Sequence, residues 1–326
     1  MKYYIIYTIL VVNTLILTSC SSDSSNPVTP TVPFSATPLI DLVPPNEYKS
    51  EAGGLYGSWS NEIPSTHKAA ALNEIAKIEP LDASGNPSAS GKVVMISIGM
   101  SNTFYSFEKF QAISNTDPDK APELFLLNGA QVGHDAIEWA TDDRQDWEKL
   151  EAKLSQQNLT PAQVQIAWIY LAYRDPVEPF PTSAKNLQGY IQTVLNTLQS
   201  KYPNIRIAYL TSREYAGYSM PNASNPEPYA YESAFAVRWL IEDQMNGAAE
   251  LNFDPAKGEV KSPIIVWGPY TWADGLNPRS DGLTWARADF NDEDGMHPSD
   301  QGYSKLGNIM HDFFKNNELS SSWFNK

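Results

Sequence analysis

Asp294 and His297 stand three residues apart in Asp294-Gly295-Met296-His297-Pro298-Ser299-Asp300. Gly295 and Pro298 break the chain there, and an apolar helical pattern follows. In such a turn both side chains can face one cleft. The carboxylate then holds Nδ1–H of the imidazole, and Nε2 is left to take a proton. A base held in that way needs a nucleophile from another part of the chain. Ser101 is the candidate, in Ser97-Ile98-Gly99-Met100-Ser101-Asn102-Thr103, where Gly99 permits a sharp turn after an apolar run. At the mouth of a helix its N–H would meet developing negative charge while its hydroxyl points into the cleft. A plain helix-capping serine is the alternative reading of the same stretch.

A second apolar run leads into Asn128-Gly129-Ala130-Gln131-Val132-Gly133-His134-Asp135. Two glycines there allow close backbone approach to a bound oxygen, and Asp135 is placed to cap a helix through Ile137 and Trp139. A tight strand-to-helix turn would look the same. His134 has no acid at useful spacing and reads as a rim or capping residue.

The elements that must position these groups alternate. Five β-type runs, Val93–Ile98, Leu124–Leu127, Val164–Leu171, Ile205–Leu210 and Ile264–Trp267, are separated by helical patterns. One helical face carries Leu187, Tyr190, Ile191, Val194, Leu195 and Leu198. A second carries Tyr231, Phe235, Trp239, Leu240 and Met245, and the last carries Leu306, Ile309, Met310, Phe313 and Phe314. Thr160 and Pro161 predict a short helical turn before the third strand. The pattern predicts an α/β fold, a parallel sheet covered by helices on both faces. Ligands in such sheets sit beyond the carboxyl ends of the strands, where Ser101 and Gly133 lie.

The chain has 326 residues, 42% of them hydrophobic, enough for a packed core. Its formal net charge of −15 and lack of any basic run exclude a nucleic-acid partner. One cysteine, Cys20, leaves no intramolecular disulfide to form. Lys2 and an apolar run from Tyr3 to Leu17 precede it, in the manner of a secretory leader. An uncleaved anchor helix is the other reading of that run.

Gly99-Met100-Ser101-Asn102, Asn128 through Gly133, and Asp294-Gly295-Met296-His297-Pro298 resemble, in the same order, three blocks of the SGNH (GDSL-type) hydrolase family. The resemblance runs from about Lys92 to Phe314. It implies a three-layer α/β/α sandwich around a five-stranded parallel sheet, flavodoxin-like in outline. It also implies a Ser101–His297–Asp294 triad, with the N–H groups of Ser101 and Gly133 as oxyanion donors. Met100 stands where the family usually has aspartate, which is closer to the Gly-Gln-Ser-Asn form of carbohydrate acetylesterases. The implied activity is therefore hydrolysis of esters, O-acetyl groups of a carbohydrate first, with no metal or cofactor.

The family's third block, which supplies an asparagine as further oxyanion donor, is absent. Leu171-Ala172-Tyr173-Arg174-Asp175-Pro176 occupies its place. Tyr173, Arg174 or Arg213 would have to substitute, because losing one such donor costs on the order of 3–4 kcal/mol of transition-state stabilisation. That gap also leaves room for a glycan-binding protein of the same fold with impaired chemistry. A lipid or thioester hydrolase, with a deep acyl pocket, is the third reading. Trp267, Tyr270, Trp272 and Trp285 stand at and beyond the last apolar run; each alone reads as a core or loop-clamping residue, and the four together suggest a sugar-facing rim. Asp274, Asp281 and Asp289 in the same region match no calcium-loop spacing and read as a solvated loop.

Leu17-Thr18-Ser19-Cys20 resembles a bacterial lipobox. That implies cleavage before Cys20, acylation of the cysteine and anchoring at the cell envelope, at an outer membrane by preference. The organisation expected is a signal peptide over 1–19, a Ser/Pro/Thr-rich tether over 20–46 and the catalytic domain over 47–326.

Overall fold

The computed structural model describes residues 1, 34–141, 145–221 and 223–326. The expected signal peptide, Cys20 and the first part of the tether lie outside the described residues. Phe34 to Lys326 form one compact unit.

A two-residue hairpin opens it, β1 (Glu47–Tyr48) against β2 (Glu51–Ala52), followed by α1 (Ser65–Ile75). The sheet strands are β3 (Val93–Gly99), β4 (Leu124–Leu127), β5 (Val164–Tyr170), β6 (Ile207–Thr211) and β7 (Ile264–Trp267). They pair in parallel in the order β4-β3-β5-β6-β7. Each matches one of the five apolar runs to within a few residues at its ends.

Period-two alternation splits the strands between two cores. Ile96, Ile98, Ala167, Ile169, Ala208, Leu210 and Ile265 face one side. There they meet α3 (Ala136–Ala140), α4 (Gln145–Gln156), α5 (Thr182–Lys201) and α6 (Tyr229–Met245). Met95, Ile166, Trp168, Tyr170, Ile207, Tyr209 and Val266 face the other, under α1, α2 (Ser101–Thr116), α7 (Asp300–Asn316) and α8 (Ser321–Phe324). Helices cover both faces, so the strands are mostly apolar on both, as in a parallel sheet; Ser97, Gln165 and Thr211 are the buried polar exceptions. The α/β/α sandwich with a five-stranded parallel sheet is therefore the observed architecture.

The expected tether ends earlier than composition suggested. Leu39 is fully buried, and its N–H donates to the Tyr270 hydroxyl at 3.1 Å. The Ser35 hydroxyl bonds Asp274 at 2.5 Å, and Phe34 packs edge-on to Tyr48. Residues 34–46 thus belong to the folded unit. Proline and threonine there mark an irregular path over the core, which composition alone does not distinguish from a spacer. The short turn before β5 is present as Pro161–Gln163, but the Thr160 hydroxyl donates to Ala83 O instead of capping it.

Register brings the strand ends level. Gly99 pairs with Tyr170, Tyr170 with Thr211, and Leu210 with Trp267. The segments leaving β3, β5 and β6, and the long connection after β7, therefore start along one edge of the sheet.

Candidate active site

Ser101 is held by a turn that has almost no freedom. At Gly99, with φ of +155°, a Cβ would lie 2.2 Å from both Tyr170 O and Thr103 Oγ1, so no other residue fits. Gly99 O accepts from Gln131 N at 2.9 Å and from Trp139 Nε1 at 3.1 Å. Thr103 Oγ1 donates to Tyr170 O at 2.5 Å and accepts from Met100 N at 3.1 Å. Ser101 then begins α2, with the free N–H groups of the first helical turn around it.

The base comes from the connection between β7 and α7. Asp294 Oδ1 accepts from Met296 N and His297 N, both at 2.8 Å, and Oδ2 lies 2.5 Å from His297 Nδ1. Burial pushes the Asp294 carboxyl up, but the hydrogen bonds from His297 and Met296 outweigh it and hold it below the usual carboxylate range. An ionised carboxylate only accepts, so Nδ1 carries the proton and Nε2 presents its lone pair. Nε2 lies 2.8 Å from Ser101 Oγ. Gly295 allows the turn: its φ is +64°, and a Cβ would come within 2.0 Å of Tyr218 O. Met220 N–H donates to Asp294 O at 2.8 Å and fastens the turn to the segment after β6.

These residues open on a cleft of about 120 Å³, lined also by Met100, Gly133, Ala172, Arg174, Arg213 and Asn225. Gly133 has φ of +85°, and its N–H donates to no protein group among the described residues. Asp135 caps α3 as expected, accepting from Ile137 N at 2.8 Å. Its other oxygen accepts from Arg174 N at 2.7 Å and so fixes the segment after β5. His134 sits on the cleft wall, with an acid after all: Nδ1 lies 2.7 Å from Asp146 of α4. A separation of twelve positions hid that pair from a reading of local spacing.

The three substitutes for the missing asparagine separate. Tyr173 turns away to pack edge-on against Tyr190, with ring centres 5.7 Å apart, in a neighbouring hollow. Arg174 is half exposed at the rim, and its guanidinium is spent on Gly133 O at 3.0 Å and Glu138 at 3.2 Å. Arg213 is 1% exposed and lines the cleft, with Nε and Nη2 lacking any hydrogen-bond partner.

The four aromatics at the end of β7 and beyond it are a correction. Trp267, Tyr270, Trp272 and Trp285 are all buried in the larger core and none lines the cleft. Their polar tips are taken up inside: Trp267 Nε1 donates to Leu55 O, Trp272 Nε1 to Glu227 and Trp285 Nε1 to Thr271 O, while the Tyr270 hydroxyl oxygen accepts from Leu39 N–H. Area burial with one satisfied polar atom is what such side chains do best in a core. The acidic loop is likewise not solvated throughout. Asp274 and Asp289 are buried, bonded to Ser35 and Asn277 and to Lys305 and Gln301.

Sequence reasoning passed over Glu214, Asn102 and Asn225. Glu214 is fully buried, and its Oε1 accepts from Asn102 Nδ2 at 2.6 Å and lies 3.3 Å from Arg213 Nη2. Burial pushes the Glu214 carboxyl up to about 8. Burial likewise draws the Arg213 guanidinium down to about 10, so it stays charged at neutral pH. Asn225, in the left-handed region with φ of +48°, donates N–H to Arg174 O and Nδ2 to Tyr173 O. The signal for Arg213 and Glu214 was available: two charges directly after an apolar strand, on the ligand-binding edge.

No family model matches the chain, and no curated protein sequence matches it. Solved structures do. An acetyl xylan esterase is 14% identical, with 67% of this chain and 98% of that one covered and a TM-score of 0.37. A chain described as a lipolytic protein of the G-D-S-L family, from Desulfitobacterium hafniense DCB-2, is 14% identical over 67% of this chain and 97% of its own, with a TM-score of 0.36. The periplasmic domain of a lipopolysaccharide acetyltransferase from Salmonella ser. Paratyphi A is 11% identical over 76% and 96%, also at 0.36. The solved chains this protein is similar to thus include G-D-S-L-type and acyl-handling proteins, and the roles of its own residues rest on the geometry above.

Proposed function

We propose that this protein is a serine-dependent carboxylic ester hydrolase of SGNH type that removes short acyl groups, O-acetyl foremost, from a carbohydrate. One observation carries the reading: Ser101 Oγ, His297 Nε2, His297 Nδ1 and Asp294 Oδ2 form an unbroken relay with links of 2.8 and 2.5 Å. That arrangement arises between residues nearly two hundred positions apart, at the sheet edge where ligands bind.

In the reaction, His297 Nε2 takes the Ser101 hydroxyl proton as Oγ bonds to the ester carbonyl carbon. The N–H groups of Ser101 and Gly133 receive the charge that develops on the carbonyl oxygen. Collapse breaks the bond to the alcohol, which leaves with the proton from His297. Water then repeats the sequence on the acyl-serine and releases the acid and free Ser101. Asp294 stays ionised throughout and steadies the imidazolium.

The cleft of about 120 Å³ suits an acetyl group and disfavours the long-chain lipid reading. The carbohydrate side rests on the likeness of Gly99-Met100-Ser101-Asn102 to carbohydrate acetylesterases, since the buried aromatics no longer support it. Acetate release from aryl acetates and acetylated xylan, wild type against Ser101→Ala, is the test. Equal inertness of the two, with glycan still bound, would replace the hydrolase reading with the binding one. Anchoring through lipidated Cys20 is part of the proposal. Cys20→Ser should move the protein from the membrane to the soluble fraction of a cell envelope preparation.

A further inference from the structure

The cleft holds a cation that the triad does not use. Arg213 leaves β6 two residues after its last member and is buried with Nε and Nη2 unbonded. Buried donors without partners are rare, and a guanidinium carries five N–H groups to satisfy. The carboxyl nearest to it, Glu214 at 3.3 Å, already accepts a shorter bond from Asn102 at 2.6 Å. The same carboxylate therefore positions both the cation and the residue next to Ser101. Glu214 sets where Arg213 lies relative to the nucleophile, yet leaves its donors open.

Three neighbouring polar side chains on the cleft wall are poorly suited to receive negative charge. The Asn102 amide is committed to Glu214, and the Arg174 guanidinium is committed to Gly133 O and Glu138. Asn225 gives Nδ2 to Tyr173 O, and its unpartnered atom is Oδ1, an acceptor that would repel an oxyanion.

We propose that the Arg213 guanidinium is the third oxyanion donor, taking the place of the asparagine that is missing after β5. This rests on the ester-hydrolase reading. As the ester carbonyl becomes tetrahedral, its oxygen gains a full charge, and the Arg213 guanidinium, which lines the same cleft, meets it beside the N–H groups of Ser101 and Gly133. No bond to Arg213 forms or breaks. A fixed cationic donor of this kind acts on the charge of the transition state far more than on the neutral ester.

The test is steady-state hydrolysis of 4-nitrophenyl acetate by wild type, Arg213→Met, Arg213→Lys and Ser101→Ala, with thermal unfolding of each. Arg213→Met should lose about 10²–10³ in kcat with KM changed less than about threefold. Arg213→Lys, keeping charge but losing the fork, should lose less. Guanidinium ion at non-denaturing millimolar concentration should restore part of the rate of Arg213→Ala saturably, which a purely structural role would not allow. A folded Arg213→Met with kcat within threefold of wild type, while Ser101→Ala is inert, overturns this assignment and leaves the hydrolase standing. A KM rise confined to esters with an anionic acyl tail overturns it too, in favour of an acyl-anion subsite. Wild type as inert as Ser101→Ala brings down both. If Arg213→Met does not fold, Arg213→Lys decides: kcat within threefold of wild type overturns the assignment.

Discussion

Two segments leave neighbouring strands at the same edge of the sheet and use buried polarity in opposite ways. β7 ends in Trp267 and is followed by Tyr270, Trp272 and, further on, Trp285, with the four polar atoms of these side chains bonded within the core. After β6 come Ser212, Arg213 and Glu214, equally buried, where the Ser212 hydroxyl, two guanidinium nitrogens and a carboxylate oxygen have no partner. A folded chain tolerates unmade hydrogen bonds of this kind at a cost of about 1–3 kcal/mol each. The bonded segment is construction, and the unbonded one brings Arg213 to the wall of the cleft where the proposed chemistry would take place.

The contrast can be broken by mutation, and the triad should give the largest effect. Ser101→Ala or His297→Ala should cut kcat by about 10⁴–10⁶, and Asp294→Asn by about 10⁴, with the unfolding midpoint near that of wild type. Esterase assays on 4-nitrophenyl acetate beside thermal melts check this. A large stability loss from any of the three would blur the division.

Next is Trp272→Ala on the construction side, expected to cost about 3–5 kcal/mol in denaturant unfolding. Its kcat per folded molecule should stay within threefold of wild type. A selective rate loss at full folding would return the aromatics to the site.

Glu214→Gln sharpens the comparison through pH. Burial raises the folded-state pKa of Glu214 from the ordinary 4.5 to about 8, so folding favours its protonated form. That contribution is whole below about pH 4.5 and is lost as pH rises through about 8. Wild-type stability should fall across that window, and the glutamine variant should fall less steeply. Parallel profiles from urea unfolding at pH 5 to 9 would show Glu214 ionised throughout.

The smallest effect belongs to Trp267→Phe, which keeps an aromatic ring but loses part of the buried indole and its bond to Leu55 O. A loss of about 1–3 kcal/mol is expected, with activity unmoved.

What could be read from the chain follows from how local each feature is. The strands were legible because fully buried parallel strands are near-continuous apolar runs. The Asp294–His297 turn was legible because its partners, Gly295 and Pro298 included, are contiguous. The aromatic segment was misread because a tryptophan near a cleft and one in a core look alike until the acceptor of its N–H is known. That acceptor can be as remote as Leu55 is from Trp267. The partnership of Asn102 with Glu214 spans over a hundred residues and has no local signature. Neither has the packing of Leu39 under Tyr270, which drew the domain boundary back to Phe34.

The base travels on the longest connection among the described residues, from residue 268 to residue 299, with only a single short turn at Arg287–Asp289. Connections of that length often serve as lids. Here Trp272 and Trp285 act as rivets, sunk wholly into the interior along its path. A catalytic arm bolted down in this manner has nothing to swing shut, so the imidazole waits in register before any substrate arrives. Turnover should then be insensitive to solvent viscosity beyond the diffusion of the ester itself, unlike that of enzymes gated by a moving flap.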